Sequence, residues 1–568
     1  MKSYLPFLSW IKDYNKKDFS GDLSAGLTVG VMLIPQGMAY SMLAGLPPEY
    51  GLYASTIPLL IYALLGTSRQ LSVGPVAMVA LLIASGVGAL AEIGSDEFIG
   101  MAILLSLIVG AIQLLMGLLR LGFLVNFLSH PVIAGFTSAA AIIIGFSQLK
   151  HLFGISIPRG KVHETVINVV GNAGDINSPT LIIGISAIVV LVLLRRINKR
   201  IPGPLIVVLA GVGAVYLIGI DEMGVKIVKD IPSGLPGLAL PEMNWEKMGA
   251  LMPTALTISL VGFMESIAVA KAIQSKHKTY KVVPNQELIG LGAANIFGSF
   301  FQAFPTTGGF SRTAVNDQAG AKTGMAAIIS AVLVILTLLF LTDYFYYMPK
   351  AILAAIILVA VFGLIDFKEA KHLWATDKTD FAMFMATFVA TLALGVEEGI
   401  GIGVLLSLGM VIYRVSYPHI AQMGQIPNTN LYRNVERYEN LIEHEGILVV
   451  RLDAQLYFAN VEFFKDKLLS FIDSKEGVRV VILDAKAVDT IDSTAVHAIH
   501  EMTEELDQQE IRFILTGVKG PVRDALHKSN LDEEFGRENM FLNVHEAVEY
   551  VLHHKFPKNS EFVMQANK

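Results

Sequence analysis

The stretch Thr306-Thr307-Gly308-Gly309-Phe310-Ser311-Arg312-Thr313-Ala314-Val315-Asn316 lies between two apolar runs. Its two glycines interrupt the backbone, and Ser311 is placed to cap the helix that follows. A helix start offers free N–H groups and the positive end of the helix dipole, so it attracts anions. Arg312 adds a full positive charge at the same place. A counterpart lies far upstream, Leu71-Ser72-Val73-Gly74-Pro75-Val76-Ala77-Met78-Val79-Ala80, where Gly74 breaks the run and Pro75 suits the first turn of a new helix. Two interrupted helices in corresponding positions of two halves point to the substrate site of a membrane transporter. On this reading the rest of the chain holds the two helix starts face to face, or regulates them.

Composition supports a polytopic membrane protein. Of 568 residues, 53% are hydrophobic and 16% charged, too apolar for a soluble chain of this size. The average hides a split. Apolar runs fill the chain from about Leu23 to Pro418, whereas Asn428 to Lys568 has the make-up of a soluble domain of ordinary size. The expected domains are a cytoplasmic segment 1–22, a membrane domain 23–424, a soluble domain 425–560 and a tail 561–568. The net charge of −6 and the lack of a basic tract give no sign of nucleic-acid binding, and the absence of cysteine excludes disulfides, thiol catalysis and thiolate metal sites. Nor does the sequence suggest a metal cluster, a cofactor or a nucleophile–base pair, so an enzyme is not expected. No apolar core with a cleavage site follows Met1 to Gly21, so no removable signal peptide is expected.

Candidate spans lie near 24–44, 51–66, 75–91, 98–118, 130–149, 179–196, 203–219, 250–271, 286–304, 311–321, 324–342, 349–364, 380–396 and 400–417. Several fall short of the roughly 20 residues a straight crossing needs. The spans at 75–91 and 311–321 follow irregular stretches, as discontinuous helices lining a cavity do. Loop charge sets the orientation. With a cytoplasmic N-terminus, the inside receives Arg69, Arg120, Arg195, Arg196, Lys199, Arg200, Lys271, Lys276, Lys278, Lys281 and Lys322. The outside receives the sparser set Lys150, Arg159, Lys161, Lys226 and Lys229. Both termini are then cytoplasmic. The segments divide into two groups of seven, and an odd number per half means that the second half enters from the opposite side, an inverted repeat. The Gly74-Pro75 segment is third and the Ser311-Arg312 segment is tenth.

Glu265 sits about 15 residues, or roughly 22 Å, into its span. An ionisable group at that depth is a functional hypothesis by default. Burial favours its neutral form and a nearby Arg312 its charged form, so it suits a coupling proton or a sodium ion, or alternatively a static salt bridge. Gln36 and Tyr40, four residues apart, share one helix face and offer an amide and a phenol to a dehydrated oxyanion. Asn316, Asp317 and Lys322 are expected to face a cytoplasmic vestibule, and Glu397-Glu398 to sit in a short external loop. The carboxyl part alternates strands (446–452, 478–483, 511–515) with helices (461–473, 494–507, 520–528, 544–554), a small α/β domain. Before the second of these helices, Asp492 or Ser493 can act as a cap; the alternative is an anion or phosphorylation site over Asp492-Ser493-Thr494.

The run Pro35-Gln36-Gly37-Met38-Ala39-Tyr40 through Gly45-Leu46-Pro47-Pro48-Glu49-Tyr50-Gly51-Leu52-Tyr53-Ala54-Ser55 resembles the signature of the SulP anion-transporter family. So do Ser72-Val73-Gly74-Pro75 and Pro305-Thr306-Thr307-Gly308-Gly309-Phe310-Ser311-Arg312, and Asp492-Ser493-Thr494 in its α/β setting is similar to a STAS domain. The resemblance covers nearly the whole chain. It implies about fourteen transmembrane segments in a seven-plus-seven inverted repeat, with a core domain that moves against a gate domain, and a homodimer with cytoplasmic STAS domains. It implies anion transport, with Gln36, Tyr40, Val76, Phe310, Ser311 and Arg312 around the anion and Glu265 as the acidic coupling position. The expectation is proton-coupled symport of sulfate or a similar oxyanion across the plasma (inner) membrane. Sodium-coupled bicarbonate or dicarboxylate symport, anion exchange, and a membrane sensor signalling through its STAS domain stay open.

Overall fold

The computed structural model describes residues 5–123, 129–158, 162–197, 202–229, 231–531 and 536–554. Arg159, Lys161, Lys199, Arg200 and the tail 561–568 lie outside them. The chain divides into two compact units, Met1–Leu408 and Gly409–Lys568.

In the first unit the helices are α1 (Leu8–Ile11), α2 (Lys16–Ala44), α3 (Pro48–Tyr53), α4 (Ile57–Leu65), α5 (Ala77–Gly86), α6 (Asp96–Leu118), α7 (His130–Phe153), α8 (Val162–Gly171), α9 (Ser178–Ile197) and α10 (Gly203–Ile218). There follow α11 (Trp245–His277), α12 (Pro284–Phe300), α13 (Phe310–Gln318), α14 (Met325–Phe340), α15 (Lys350–Phe362), α16 (Phe367–Thr376), α17 (Lys378–Ala393) and α18 (Val396–Ser416), the last running across the division into the second unit. Six helices among the described residues are long and apolar enough to cross a bilayer, and a seventh such stretch, Lys350–Thr376, takes in α15 and α16. The remaining passes are short or interrupted: α3–α4, α5, α10, α12, α13, α14 and α17. Glu398 lies in the first turn of α18 rather than in a loop.

Several helix contacts recur when the two halves are exchanged. Helix α2 packs on α14, and its counterpart α11 packs on α6; α2 and α11 each pack on both α5 and α13; α4 meets α12, and α7 meets α15. That is the signature of an inverted repeat. Two two-residue strands, β1 (Val73–Gly74) and β2 (Thr307–Gly308), pair antiparallel with Val73 opposite Gly308 and Gly74 opposite Thr307. Antiparallel pairing sends the chain out of the crossing in opposite directions, so α5 and α13 start near one point and run apart.

Close helix contact depends on missing side chains. A Cβ at Gly51 would lie 2.0 Å from the Gly37 carbonyl oxygen, so the glycines of the two signature runs let α3 press on α2 beside Gln36 and Tyr40. Asp22, fully buried on α2, accepts from the backbone N–H of Lys322 at 2.6 Å and of Thr323 at 3.0 Å, pinning the α13–α14 turn.

The second unit is a six-stranded sheet in the order β4-β3-β5-β6-β7-β8: β3 (Ile420–Gln425), β4 (Tyr432–Asn434), β5 (Ile447–Leu452), β6 (Val480–Asp484), β7 (Arg512–Thr516) and β8 (Met540–Phe541). Strands β5 to β8 are parallel, and β3 is antiparallel to both neighbours. Alternate residues of the near-continuous apolar strands face opposite sides, as in a sheet covered on both faces. Leu448 and Val450 pack with α19 (Val461–Asp473), α20 (Ser493–Gln508) and α21 (Gly520–Lys528); Val449, Ile482 and Ile514 pack with α22 (Val544–His553). Strand β3 straddles the boundary expected after residue 424 and begins at Ile420. Its sequence Ile420-Ala421-Gln422-Met423-Gly424-Gln425 has no apolar run to mark it.

Candidate functional site

The backbone pairing of β1 and β2 sets the geometry. The first helical bonds are Ala80 N–H to Val76 O at 3.0 Å in α5 and Thr313 N–H to Gly309 O at 3.0 Å in α13. The N–H groups of Ala77–Val79 and Phe310–Arg312 therefore have no partner within their own helices. Expectations about the caps need correction. Gly309, not Ser311, is the N-cap of α13, and no side chain caps it. Val76 is the N-cap of α5, and Pro75 lies just before it rather than in its first turn. Both helices thus start without a side chain competing for their N–H groups.

A cavity of about 340 Å³ opens at these two starts. Gln36, Tyr40, Val76, Glu265, Phe310, Ser311 and Arg312, singled out from the sequence, all line it. The opposite wall is apolar, with Val132, Ile133 and Phe136 from α7, Ala360 and Val361 from α15, and Ile400 from α18. His130 and Thr137 on α7 also line it and carry no signal in the sequence beyond their type. A second cavity of about 440 Å³ lies at the other end of the same seam, lined by Met42 and Leu43 of α2, Leu81 and Ser85 of α5 and the far end of α7.

Arg312 is 2% exposed. Its Nη1 donates to the Pro75 carbonyl at 2.7 Å, while Nε and Nη2 are buried without a hydrogen-bond partner. A Cβ at Gly309 would lie 2.8 Å from Nη2, so the guanidinium folds closely against the glycine of this turn. Glu265 Oε2, in the same cavity lining, is likewise buried without a partner. Glu265 and Arg312 form no direct ion pair among the described residues. A buried cation with two unused donors and a carboxylate with an unused acceptor are costly unless something else engages them.

A polar frame missed in the sequence holds β2. Ser266 Oγ accepts from Gly308 N–H at 2.8 Å and lies 2.7 Å from Thr307 Oγ1, and Thr307 Oγ1 donates to Gly262 O at 2.5 Å. Asn295 Oδ1 accepts from Thr306 N–H at 2.7 Å, and its Nδ2 donates to Gln113 Oε1 at 3.1 Å. Further along α13 the vestibule reading fails for two of its three residues. Asn316, buried, donates to Gln70 O at 2.8 Å, and Asp317 is gripped by Lys276 and His277 at the end of α11. Only Lys322 presents an exposed side chain.

In the C-terminal unit Asp492 is the N-cap of α20. Its Oδ1 accepts from Ala495 N–H at 2.8 Å and its Oδ2 from Phe458 N–H at 3.0 Å, while Ser493 and Thr494 are exposed in the first turn.

A repeated helical membrane unit with two opposed helix starts, followed by an α/β unit of this topology, defines a class: membrane transporters carrying a STAS domain. Residues 19–387 match the sulfate permease family and residues 438–547 the STAS domain. The chain belongs to the sulfate permease family. It is 40% identical to sulfate transporter 4.1, chloroplastic, of Arabidopsis thaliana, over 98% of this chain and 84% of that protein. It is 35% identical to high affinity sulfate transporter 1 of Stylosanthes hamata, over 96% and 85%. The structure of the murine Solute Carrier 26 family member A9 anion transporter in the inward-facing state superposes with a TM-score of 0.89 at 28% identity, covering 97% of this chain and 94% of that one.

Proposed function

We propose that the protein is a secondary active transporter of sulfate or a similar oxyanion, coupled to protons. The observation that carries this reading is the buried Arg312 with two unengaged donors at the meeting point of two uncapped helix starts. Oxyanion oxygens accept from the N–H groups of Ala77–Val79 and Phe310–Arg312, with the Arg312 charge behind them and the amide of Gln36 and phenol of Tyr40 alongside. Two dipoles and a buried cation are preorganised for an anion and do not require it to stay hydrated. Glu265 faces the same cavity and takes the coupling proton, so that a less charged pair crosses. The names of the plant relatives favour sulfate.

Cavities at both ends of the seam between α2–α5 and α7 support alternating access, in which the polar core slides against the apolar wall and exposes the site to one side at a time. We place both termini in the cytoplasm on loop charge, with the chain acting as a homodimer in the plasma membrane. The test is uptake of labelled sulfate, bicarbonate and dicarboxylates by purified protein in liposomes, with pH and sodium gradients imposed separately. Sulfate accumulation on an inward proton gradient is the expected result. Accumulation on a sodium gradient would assign Glu265 to sodium, and no uptake of any anion would favour a sensor acting through the STAS domain.

A further inference from the structure

We infer that α16 is an interfacial helix whose outer face binds the headgroups of anionic phospholipids. This ten-residue helix joins two membrane passes and is too short and polar to cross. Phe367, Lys371 and Trp374 follow an i, i+4, i+7 spacing and share one side. That side is open: Phe367 is 77% and Trp374 56% exposed, and Phe362 at the end of α15 is 65% exposed beside them. Leu373 on the other side is buried, and Glu369 there lies 3.2 Å from His130 at the cavity. The helix therefore has a fixed inner face and an exposed aromatic outer face, on which Trp374 meets Phe381 edge-on with ring centres 4.9 Å apart.

Positive charge predominates on the outer face, beside the exposed carboxylate of Asp366. The local carboxylates are engaged in the fold: Asp366 accepts from Glu369 N–H at 2.9 Å, Asp377 accepts from Thr379 N–H at 2.8 Å, and Glu369 pairs with His130. Lys368 and Lys371 are exposed and form no ion pair among the described residues. Lys378 stacks its ammonium 3.5 Å from the Trp374 ring centre, and Arg195 at the end of α9 reaches Gly363. Exposed aromatic rings among lysines, at the end of membrane passes, match the boundary between acyl chains and anionic headgroups. The rings enter the boundary layer, and the lysines meet the phosphates.

The test uses the full-length protein in phosphatidylcholine vesicles titrated with brominated phosphatidylglycerol, reading tryptophan fluorescence. The part of the quenching that disappears in Trp374→Phe reports α16. The expected result is that this part rises with phosphatidylglycerol, and that half-maximal quenching needs about fivefold more of it for each of Lys368→Gln and Lys371→Gln. Equal quenching by brominated phosphatidylcholine, an unchanged titration in the double lysine variant, or no quenching assignable to Trp374 would each overturn the proposal. All three substitutions fall on exposed side chains, so loss of folding does not intervene.

Discussion

Arg312 of α13 donates from Nη1 to the carbonyl of Pro75 at 2.7 Å, so the charge belonging to one broken helix is anchored on the loop that starts the other. The pair makes the two halves of the repeat share one cation. Arg312→Ala removes the charge and leaves the Pro75 carbonyl without its donor. A charged hydrogen bond is worth about 1.5–3 kcal/mol, so sulfate affinity should fall roughly 10- to 100-fold. Arg312→Lys keeps the charge but not the planar fork, and should recover only part of the loss. Calorimetric titration of the reconstituted variants measures both, and unchanged affinity in Arg312→Ala would remove the side chain from the site.

Ser266 is expected to matter as much as the residues that face the cavity. Its Oγ is the acceptor for Gly308 N–H, and Ser266→Ala strands that donor in a buried place. The cost is about 1–3 kcal/mol. The melting point of the purified protein should drop, and anion affinity should fall with it because β2 is no longer held against α11. A variant that melts lower but binds sulfate normally would show that β2 keeps its place without Ser266.

The soluble unit offers a test by truncation. Strand β3 begins at Ile420, so a chain ended after Ser416 removes the whole sheet and none of α18. The membrane unit has its own core and should still insert, with a lower transport rate. Failure to reach the membrane would make the STAS domain part of the folding unit.

Acid should weaken the soluble unit through Asp453. Burial works against its ionised form, but Arg451 Nε at 2.6 Å and His419 Nδ1 at 2.9 Å outweigh burial and hold its pKa below the usual 3.8. A carboxylate with a lowered folded pKa adds stability above its unfolded value and loses it as pH falls through the folded value. Urea unfolding of residues 417–568 should therefore weaken below about pH 4, and Asp453→Asn should flatten that part of the profile. An identical pH profile in the variant would place the acid sensitivity elsewhere.

The legible parts of the sequence were those with a local signal. Gly308-Gly309 and Gly74-Pro75 marked both helix breaks, and a charge within an apolar run marked Glu265. The cap assignments failed because a pair of two-residue strands, set by contacts over 200 residues apart in sequence, decides where each helix begins. The frame of Ser266, Thr307 and Asn295 was missed for a related reason. Small polar residues in apolar runs look alike whether they bond their own helix or a distant turn, as Ser259 to Ala255 O and Ser266 to Gly308 N–H illustrate. His130 and Thr137 come to the cavity only through the packing of α7 across the seam.

Glu265 is the acidic residue that lines the cavity, and its Oε2 has no hydrogen-bond partner. A bound oxyanion in the same cavity makes an ionised carboxylate there more costly, so anion binding and proton binding favour each other. By reciprocity a proton on Glu265 promotes anion binding by the same factor. The pair then crosses at lower electrostatic cost than the anion alone. Glu265→Gln has the shape and charge of the protonated form. It should still bind sulfate and still exchange it across the membrane in counterflow at equal pH. It should lose accumulation driven by an inward proton gradient, because no proton need leave before the empty carrier returns. Liposome uptake measured in both regimes separates these steps. If the variant still concentrates sulfate on a proton gradient, the proton travels by another group. If counterflow is lost together with accumulation, Glu265 holds the site in shape rather than coupling it.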